Sequence, residues 1–264
     1  MTVAVVGSGS FIAQALRAKR PDWLYLSHKQ MDAAVGAQCI INCAFALSFR
    51  TGLYDGTEDI DLSLARLASK TDAHFIMLSS RLVYGTGHDK AWHEDDPGKP
   101  QTPYARNKWQ VEQNLAETLS PDRLTVLRLA TLCGRESRRR SFFGIALDRL
   151  KAEGKITLDM AAATRRDFMP VDDAAAAIIA VAEAPQAGRF NVGSGFGTAC
   201  GTIAQALIDG YGSGTWESDE SAGIRDAFWL DTAKLRAAYP ALPCLTPEDI
   251  YTHARACGAW ARGQ

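Results

Sequence analysis

Two stretches carry residue types suited to acid–base chemistry: Ser79-Ser80-Arg81-Leu82-Val83-Tyr84-Gly85 and Tyr104-Ala105-Arg106-Asn107-Lys108. Tyr104 and Lys108 stand four residues apart, which on a helix puts both side chains on one face. A free tyrosine titrates near ~10 and moves protons poorly at neutral pH unless a cation stabilises its phenolate. Lys108 supplies that cation. Ser80, at the end of the apolar run His74-Phe75-Ile76-Met77-Leu78, adds a hydroxyl beside a reacting oxygen. An ordinary amphipathic helix also yields Tyr-x-x-x-Lys, so the weight of the pair rests on its surroundings.

The N-terminal run Val3-Ala4-Val5-Val6 leads into Gly7-Ser8-Gly9-Ser10-Phe11-Ile12-Ala13 and then a helical pattern through Arg20. Strand, glycine turn and helix in that order place backbone N–H groups where a pyrophosphate can bind, and the missing side chains allow close approach. Ser10 and Ala13 stand where a full glycine fingerprint has glycines, but both are small. A plain strand-to-helix turn is the alternative. The next strand, Trp23-Leu24-Tyr25-Leu26, ends in Ser27-His28-Lys29. NAD-binding folds commonly place an acid here for the ribose hydroxyls. A hydroxyl, an imidazole and a cation suit a 2′-phosphate better, so NADP(H) is favoured and NAD(H) is allowed. Asp32 reads equally as an adenine-side contact or a helix cap. Little room is left before Ile40-Ile41-Asn42-Cys43-Ala44-Phe45-Ala46, whose small residues, Ala44 among them, would lie beside the cofactor.

The elements that must position these groups alternate along the chain. Helical spacing runs from Asp61 to Ser69, and Phe75–Leu78 and Leu124–Leu129 are continuous apolar runs of the kind found in central parallel strands. Gly85 to Pro103 reads as a loop over the site, with His88 and His93 as surface residues. A helix follows from Tyr104 to Leu119. The basic run Arg135 to Arg140 reads as a solvated loop or a phosphate-facing one. Helices at 141–150, 174–184, 202–208 and 246–260 and strands at 155–158 and 189–193 complete a parallel α/β pattern. The expectation is a Rossmann-type doubly wound sheet with a small, discontinuous C-terminal substrate lobe: residues 1–131 and 165–190 in the first, 132–164 and 191–264 in the second.

The chain has 264 residues, 47% hydrophobic and 22% charged, enough for a sizeable core, with a formal net charge of -1. That balance argues against a nucleic-acid or acidic-membrane surface. Six cysteines show no CxxC or Cys/His metal spacing, so no metal is expected, and Cys39 and Cys43 read as buried thiols. No leader pattern or membrane-length apolar segment is present in the sequence, and a cytoplasmic location is the expectation.

Taken in order, these landmarks resemble the extended short-chain dehydrogenase/reductases, the NAD(P)-dependent epimerase/dehydratase family acting mainly on nucleotide sugars. The resemblance covers almost the whole chain: the 6–13 loop, Ser79 to Gly85, Glu94 ahead of Pro100, Tyr104 to Lys108, Leu127-Arg128 with Gly134, Arg166-Asp167-Phe168-Met169-Pro170-Val171-Asp172-Asp173, and Phe190 to Gly195. It implies a catalytic trio of Ser80, Tyr104 and Lys108. Hydride would pass between the nicotinamide and a sugar carbon while Tyr104 moves the proton on the attached oxygen. Gly7, Gly9, Ser10, Phe11 and Ile12 match the pyrophosphate loop, and the backbone after Leu129 should meet the nicotinamide carboxamide. Arg166 matches an arginine that binds the substrate diphosphate in several relatives, and Arg225 looks like a second.

Departures from the family pattern narrow the reaction. Dehydratases of the family resemble one another in carrying Asp-Glu after the Ser/Thr, whereas this chain has Arg81 and Leu82, which set Arg81 at the substrate end. Thr131 occupies a slot where UDP-galactose 4-epimerases have an asparagine contacting substrate. The Leu26-to-Asp32 and Leu230-to-Leu235 segments are similar to dTDP-4-dehydrorhamnose reductases. The resemblance therefore implies a reductase of a keto sugar joined to a nucleoside diphosphate. An epimerase with tightly bound cofactor, and an NADP(H)-binding redox sensor without catalysis, are the alternatives. Helices of the Tyr104 type commonly form a homodimer in such relatives.

Overall fold

The computed structural model describes residues 1–87, 90–136 and 140–264; His88 and positions 137–139 of the basic run lie outside the described residues. In chain order the strands are β1 (Val3–Val6), β2 (Leu24–Leu26), β3 (Cys39–Asn42), β4 (His74–Ser80), β5 (Leu124–Leu129), β6 (Thr131–Cys133), β7 (Lys155–Leu158), β8 (Arg165–Arg166), β9 (Phe168–Pro170), β10 (Gly188–Val192), β11 (Thr198–Ala199) and β12 (Thr215–Ser218). The helices are α1 (Phe11–Lys19), α2 (Ile60–Thr71), α3 (Pro103–Thr118), α4 (Phe142–Glu153), α5 (Val171–Glu183), α6 (Cys200–Tyr211), α7 (Ala233–Ala238) and α8 (Pro247–Arg262).

Six strands form one sheet in the order β10-β5-β4-β3-β1-β2, and every neighbouring pair is parallel. This is the expected doubly wound Rossmann-type α/β architecture. Alternate residues of each strand face opposite sides. Val3, Val5, Ile41 and Ile76 therefore join the α1 and α5 side chains Leu16 and Ile178 in one core. Ala4, Val6, Ile40 and Phe75 pack with Leu64 and Ala68 of α2 and Leu115 of α3 in another. A further apolar cluster gathers Phe143 and Leu147 of α4, Ile156 of β7, Leu207 of α6 and Ile250 of α8. Burial on both faces explains why the strands read as unbroken apolar runs.

The chain leaves β1 for β2 on one side and returns to β3 on the other, so the C-terminal ends of β1 and β3 flank a switch in strand order, where such sheets open a crevice. Between β2 and β3 only a 3-10 turn, His28–Ala34, fits. The Ala-rich helix begins at Val171, ahead of the expected 174, and α7 has no clear apolar period because it is six residues long. Strand β10 runs to Val192 and completes the sheet against β5.

A buried polar network fixes the loop over the site. Arg128 of β5 pairs with Glu112 of α3, Nη2 to Oε2 at 2.7 Å, with both side chains essentially inaccessible. Its guanidinium stacks over Tyr84 and donates from Nη1 to the Glu94 carbonyl. The Tyr84 hydroxyl donates to Asn191 Oδ1 at 2.7 Å, and the Glu94 carboxylate accepts from the Asn191 amide at 2.8 Å. A buried charge is tolerated only when paired and hydrogen-bonded this fully. The network therefore ties loop 85–103 to the ends of β5 and β10.

Candidate active site

Ser80 ends β4 and caps the 3-10 turn Arg81–Tyr84, its Oγ accepting from the Leu82 amide at 3.2 Å. With an oxygen lone pair so engaged, the hydroxyl hydrogen is left to donate outward. Tyr104 sits in the first turn of α3, which Thr102 caps by accepting from the Ala105 amide and which Pro103 opens. The ring of Phe45 lies edge-on to Tyr104, centroids 5.0 Å apart. One turn later Lys108 is buried, donating from Nζ to the Leu78 carbonyl at 2.9 Å and lying 3.5 Å from Asp61 Oδ2. Burial works to lower the Lys108 pKa, but Asp61 and Tyr104 more than offset it, and the group ends above its ordinary value.

Ser80 and Tyr104 face a cleft of about 480 Å³ lined also by Ile12, Arg50, Arg81, Leu82, Leu129, Thr131, Arg140 and Ser141. Among the described residues three arginines and no carboxylate line it. Arg140 and Ser141 also line a second cavity of about 320 Å³ with Arg149, Asp159 and Arg166, so the cationic wall continues away from Tyr104. On the other side Arg50 is shared with a cleft of about 790 Å³ that holds Gly7, Gly9, Ser10, Ser27, His28 and Ala44. Gly7 has φ +91°, and a Cβ there would lie 2.5 Å from the Ala44 nitrogen. Only glycine allows β1 and β3 to approach so closely at the crevice. An open trough along a glycine turn at the positive end of α1, running into the Tyr104 cleft, has the form a dinucleotide requires.

The structure thus brings together Ser80, Tyr104, Lys108, Ile12, Leu129, Thr131 and Arg81 at one end, and Gly7, Gly9, Ser10, Ser27, His28 and Ala44 at the other. Phe11 is oriented differently: its ring reaches Gly134 and lines a separate cavity with Gln14 and His253. Lys29 is exposed, outside the residues lining the dinucleotide-shaped trough. Arg166 stands at the far cavity, where Nε donates to the Asp226 carbonyl and Nη2 to the Arg225 carbonyl. Arg225 itself is exposed and donates to the Asp159 carbonyl at 3.3 Å. Arg81 reaches the cleft with its guanidinium already engaged by Asp226.

Four residues of the site went unremarked in the sequence. Asp61 and Asn42 support Lys108, Phe45 packs on Tyr104, and Arg50 joins the two clefts. For Asp61 a signal existed. It shares the spacing of Leu64, Ala65 and Ala68 on the buried face of α2, and a carboxylate inside an apolar stripe needs a buried partner.

The fold and the cleft define a dinucleotide-type α/β architecture, and comparison with known proteins agrees. Residues 25–193 match the model of the NAD dependent epimerase/dehydratase family. The chain belongs to that family. Among solved structures it is similar to dTDP-glucose 4,6-dehydratase from Bacillus anthracis str. Ames in complex with NAD, at TM-score 0.82 and 15% identity, covering 100% of this chain and 97% of the other. The UDP-glucose 4-epimerase of Thermus thermophilus, also complexed with NAD, gives TM-score 0.81 and 17% identity over 100% and 99%. UDP-N-acetylglucosamine 4-epimerase from Methanobrevibacter ruminantium M1, in complex with UDP-N-acetylmuramic acid, gives 0.80 and 16% over 98% and 97%. At these identities the likeness is one of fold.

Proposed function

We propose that the protein reduces a keto group of a nucleotide-activated sugar, with Tyr104 as proton donor and NADP(H) preferred over NAD(H). The observation that carries this reading is the cleft itself: Ser80 and Tyr104 face a cavity whose charged lining is Arg50, Arg81 and Arg140. Cationic walls suit a diphosphate. Elimination of water needs a further acid–base pair, and among the described residues no carboxylate lines the cavity to provide one. The similar structures carry NAD or uridine-sugar ligands, which supports a nucleotide sugar as the substrate class. The trough offers a 2′-phosphate Ser27 and His28 where a diol-binding acid would otherwise stand.

When bound, the reduced nicotinamide supplies a hydride. Ser80 donates a hydrogen bond to the substrate carbonyl oxygen and orients it toward Tyr104. Tyr104 Oη gives its proton to that oxygen as the carbon is reduced. The C=O π bond is lost, C–H and O–H bonds form, and a phenolate remains beside the Lys108 ammonium until solvent returns a proton. Residues 132–164 and 191–264, with Arg166 and Arg225, hold the nucleotide end.

The test is incubation with NADPH or NADH and a panel of dTDP-, UDP- and GDP-4-keto hexoses, following loss of dihydronicotinamide absorbance and the product by NMR. One cofactor oxidised per sugar reduced, faster with NADPH, is the expected result. Interconversion of a nucleotide sugar without added cofactor and without net oxidation would replace this reading by an epimerase. Cofactor binding with no turnover of any sugar would replace it by a sensor.

A further inference from the structure

Asp61 is a fully buried acid that touches neither cleft. Its Oδ1 accepts from Asn42 Nδ2 at 2.7 Å, and its Oδ2 lies 3.5 Å from Lys108 Nζ. The orientation of Asn42 is fixed from behind, because its Oδ1 accepts the Ala44 amide at 2.9 Å. The amide must therefore present its N–H hydrogens to Asp61, and Asp61 must accept. The carboxylate, the ammonium and the Tyr104 hydroxyl form a row leading out of the core: α2, then Lys108 one turn inside α3, then the cleft.

We propose that Asp61 is a positioning residue acting through Lys108: by pairing with the ammonium it holds the Asp61–Lys108–Tyr104 row at zero net charge with the tyrosine proton in place, so that Tyr104 meets the substrate as an acid. This rests on the reading of Tyr104 as proton donor. The charge count gives the sign. With Asp61 ionised and Lys108 charged, taking the proton from Tyr104 leaves a net charge of minus one in a poorly solvated place. Without the carboxylate the same step brings the row from plus one to zero, which is easier.

Around Asp61 and Lys108 the other groups act in the same direction or are silent, whereas Arg50, Arg81 and Arg140 on the cleft side of Tyr104 favour its phenolate and are common to the wild type and the variant. Asp59, the cap of α2, adds negative field to both Asp61 and Lys108 while engaged by the Leu62 amide and the Tyr54 hydroxyl. The Cys43 thiol at the end of β3 is pushed up to about 12, chiefly by burial, and stays neutral. Phe45, whose ring lies 4.7 Å from Lys108 Nζ, and the Leu78 carbonyl contribute no ionisable group. Both help Lys108 keep its own proton when Asp61 is replaced.

The experiment needs no substrate. Ultraviolet absorbance of tyrosinate is recorded against pH for the wild type and Tyr104→Phe, and the difference isolates Tyr104. The same difference is taken between Asp61→Asn and Asp61→Asn/Tyr104→Phe. In the Asp61→Asn background the Tyr104 phenolate should appear at a pH lower by about one unit, the size expected of one charge a few ångströms away in a partly screened interior. Coincident curves, or a shift to higher pH, overturn the proposal. Asp61→Ser serves as the second replacement, checked by circular dichroism. If neither variant folds, Asp61 is a structural ion-pair partner and the proposal is wrong. Because no sugar is turned over, failure here leaves the keto-sugar reduction assay to stand or fall by itself.

Discussion

Arg81 turns both terminal nitrogens of its guanidinium onto the two carboxylate oxygens of Asp226, 145 residues further along the chain. The arginine is 8% exposed and lies over the Phe228 ring, 3.7 Å from its centroid. Asp226 adopts a left-handed conformation, φ +51°, which a non-glycine residue holds only when its surroundings fix it. The same residue receives Arg166 on its backbone carbonyl. One loop thus orders two arginines and offsets their charge.

Asp226→Asn tests this clasp without backbone strain, since asparagine tolerates the left-handed region. It leaves the Arg81 cation buried and half-paired. Unfolding in urea should show a loss of about 2 kcal/mol, at the low end for a broken buried pair because Asp226 is partly solvated. The KM for the nucleotide sugar should rise more than tenfold while cofactor binding is unchanged. A wild-type KM would mean that the clasp is purely structural.

Tyr104 and Lys108 should separate by stability as well as by rate. Tyr104→Phe removes one half-exposed hydroxyl; kcat should fall by about 10²- to 10⁴-fold, with the melting temperature and cofactor affinity preserved. Lys108→Ala should abolish turnover and also destabilise by about 3 kcal/mol, because it strands the Asp61 carboxylate in the core. Equal stabilities for the two variants would contradict the buried pair.

Ser27 offers a conservative route to cofactor choice. Its hydroxyl donates to Gln30 Oε1 at 2.8 Å at the start of the 3-10 turn, within the trough that His28 and Gly9 line. Aspartate cannot donate to Gln30 Oε1, but Gln30 is exposed and can turn its amide NH₂ toward the carboxylate, and aspartate is itself a favoured cap residue, so Ser27→Asp should fold. An acid there binds a ribose diol and repels a 2′-phosphate. The ratio of kcat/KM for NADPH to that for NADH should drop at least tenfold. An unchanged ratio would assign the preference to another part of the trough.

The parts of the site visible in the sequence are those set by local rules. Tyr104 and Lys108 are one helical turn apart, and Gly7 follows β1 directly, so spacing and order alone present both. Phe11 shows the limit of that: its place in the loop is local, but its side chain is drawn to Gly134 by packing across the chain. Asp61 and Lys108 are separated by 47 positions and Arg81 and Asp226 by 145; only tertiary pairing joins them. The short strands β6 and β11 escaped notice for the same reason. Two or three residues carry no period, and they become strands because Thr131 finds Phe168 and Arg166 finds Thr198.

Asp167 holds the turn after β10 to the segment that precedes α7. Its Oδ1 accepts from the Ser194 amide at 2.8 Å and from the Ser194 hydroxyl, and its Oδ2 accepts from the Leu230 amide at 3.1 Å. Burial pushes the carboxyl up to about 6 against these bonds. Asp167→Asn is nearly isosteric but must turn an NH₂ group toward one of the donors. Two facing donors in a dry site cost about 2–3 kcal/mol, and the variant should lose that much by urea denaturation. A loss below about 0.5 kcal/mol would show that the three bonds contribute little.

His74 makes stability depend on pH in a defined window. Its Nε2 lies 2.7 Å from Thr125 Oγ1, and that hydroxyl donates its own hydrogen to the Gln186 carbonyl. The ring must therefore be the donor at Nε2 in the folded state. Burial depresses its pKa to about 4, against the opposing pull of Asp122. An unfolded histidine titrates near ~6.5. Between these values the unfolded chain binds more protons, so the stabilisation present above about 6.5 is lost as pH falls through the folded value. His74→Gln keeps an N–H donor and removes the titration. Urea midpoints of wild type and variant at about pH 7 and about pH 4.5 separate this group from the carboxylates, which both proteins share. The wild type should lose more stability than the variant on acidification, and parallel losses would show that His74 is protonated in the fold without penalty.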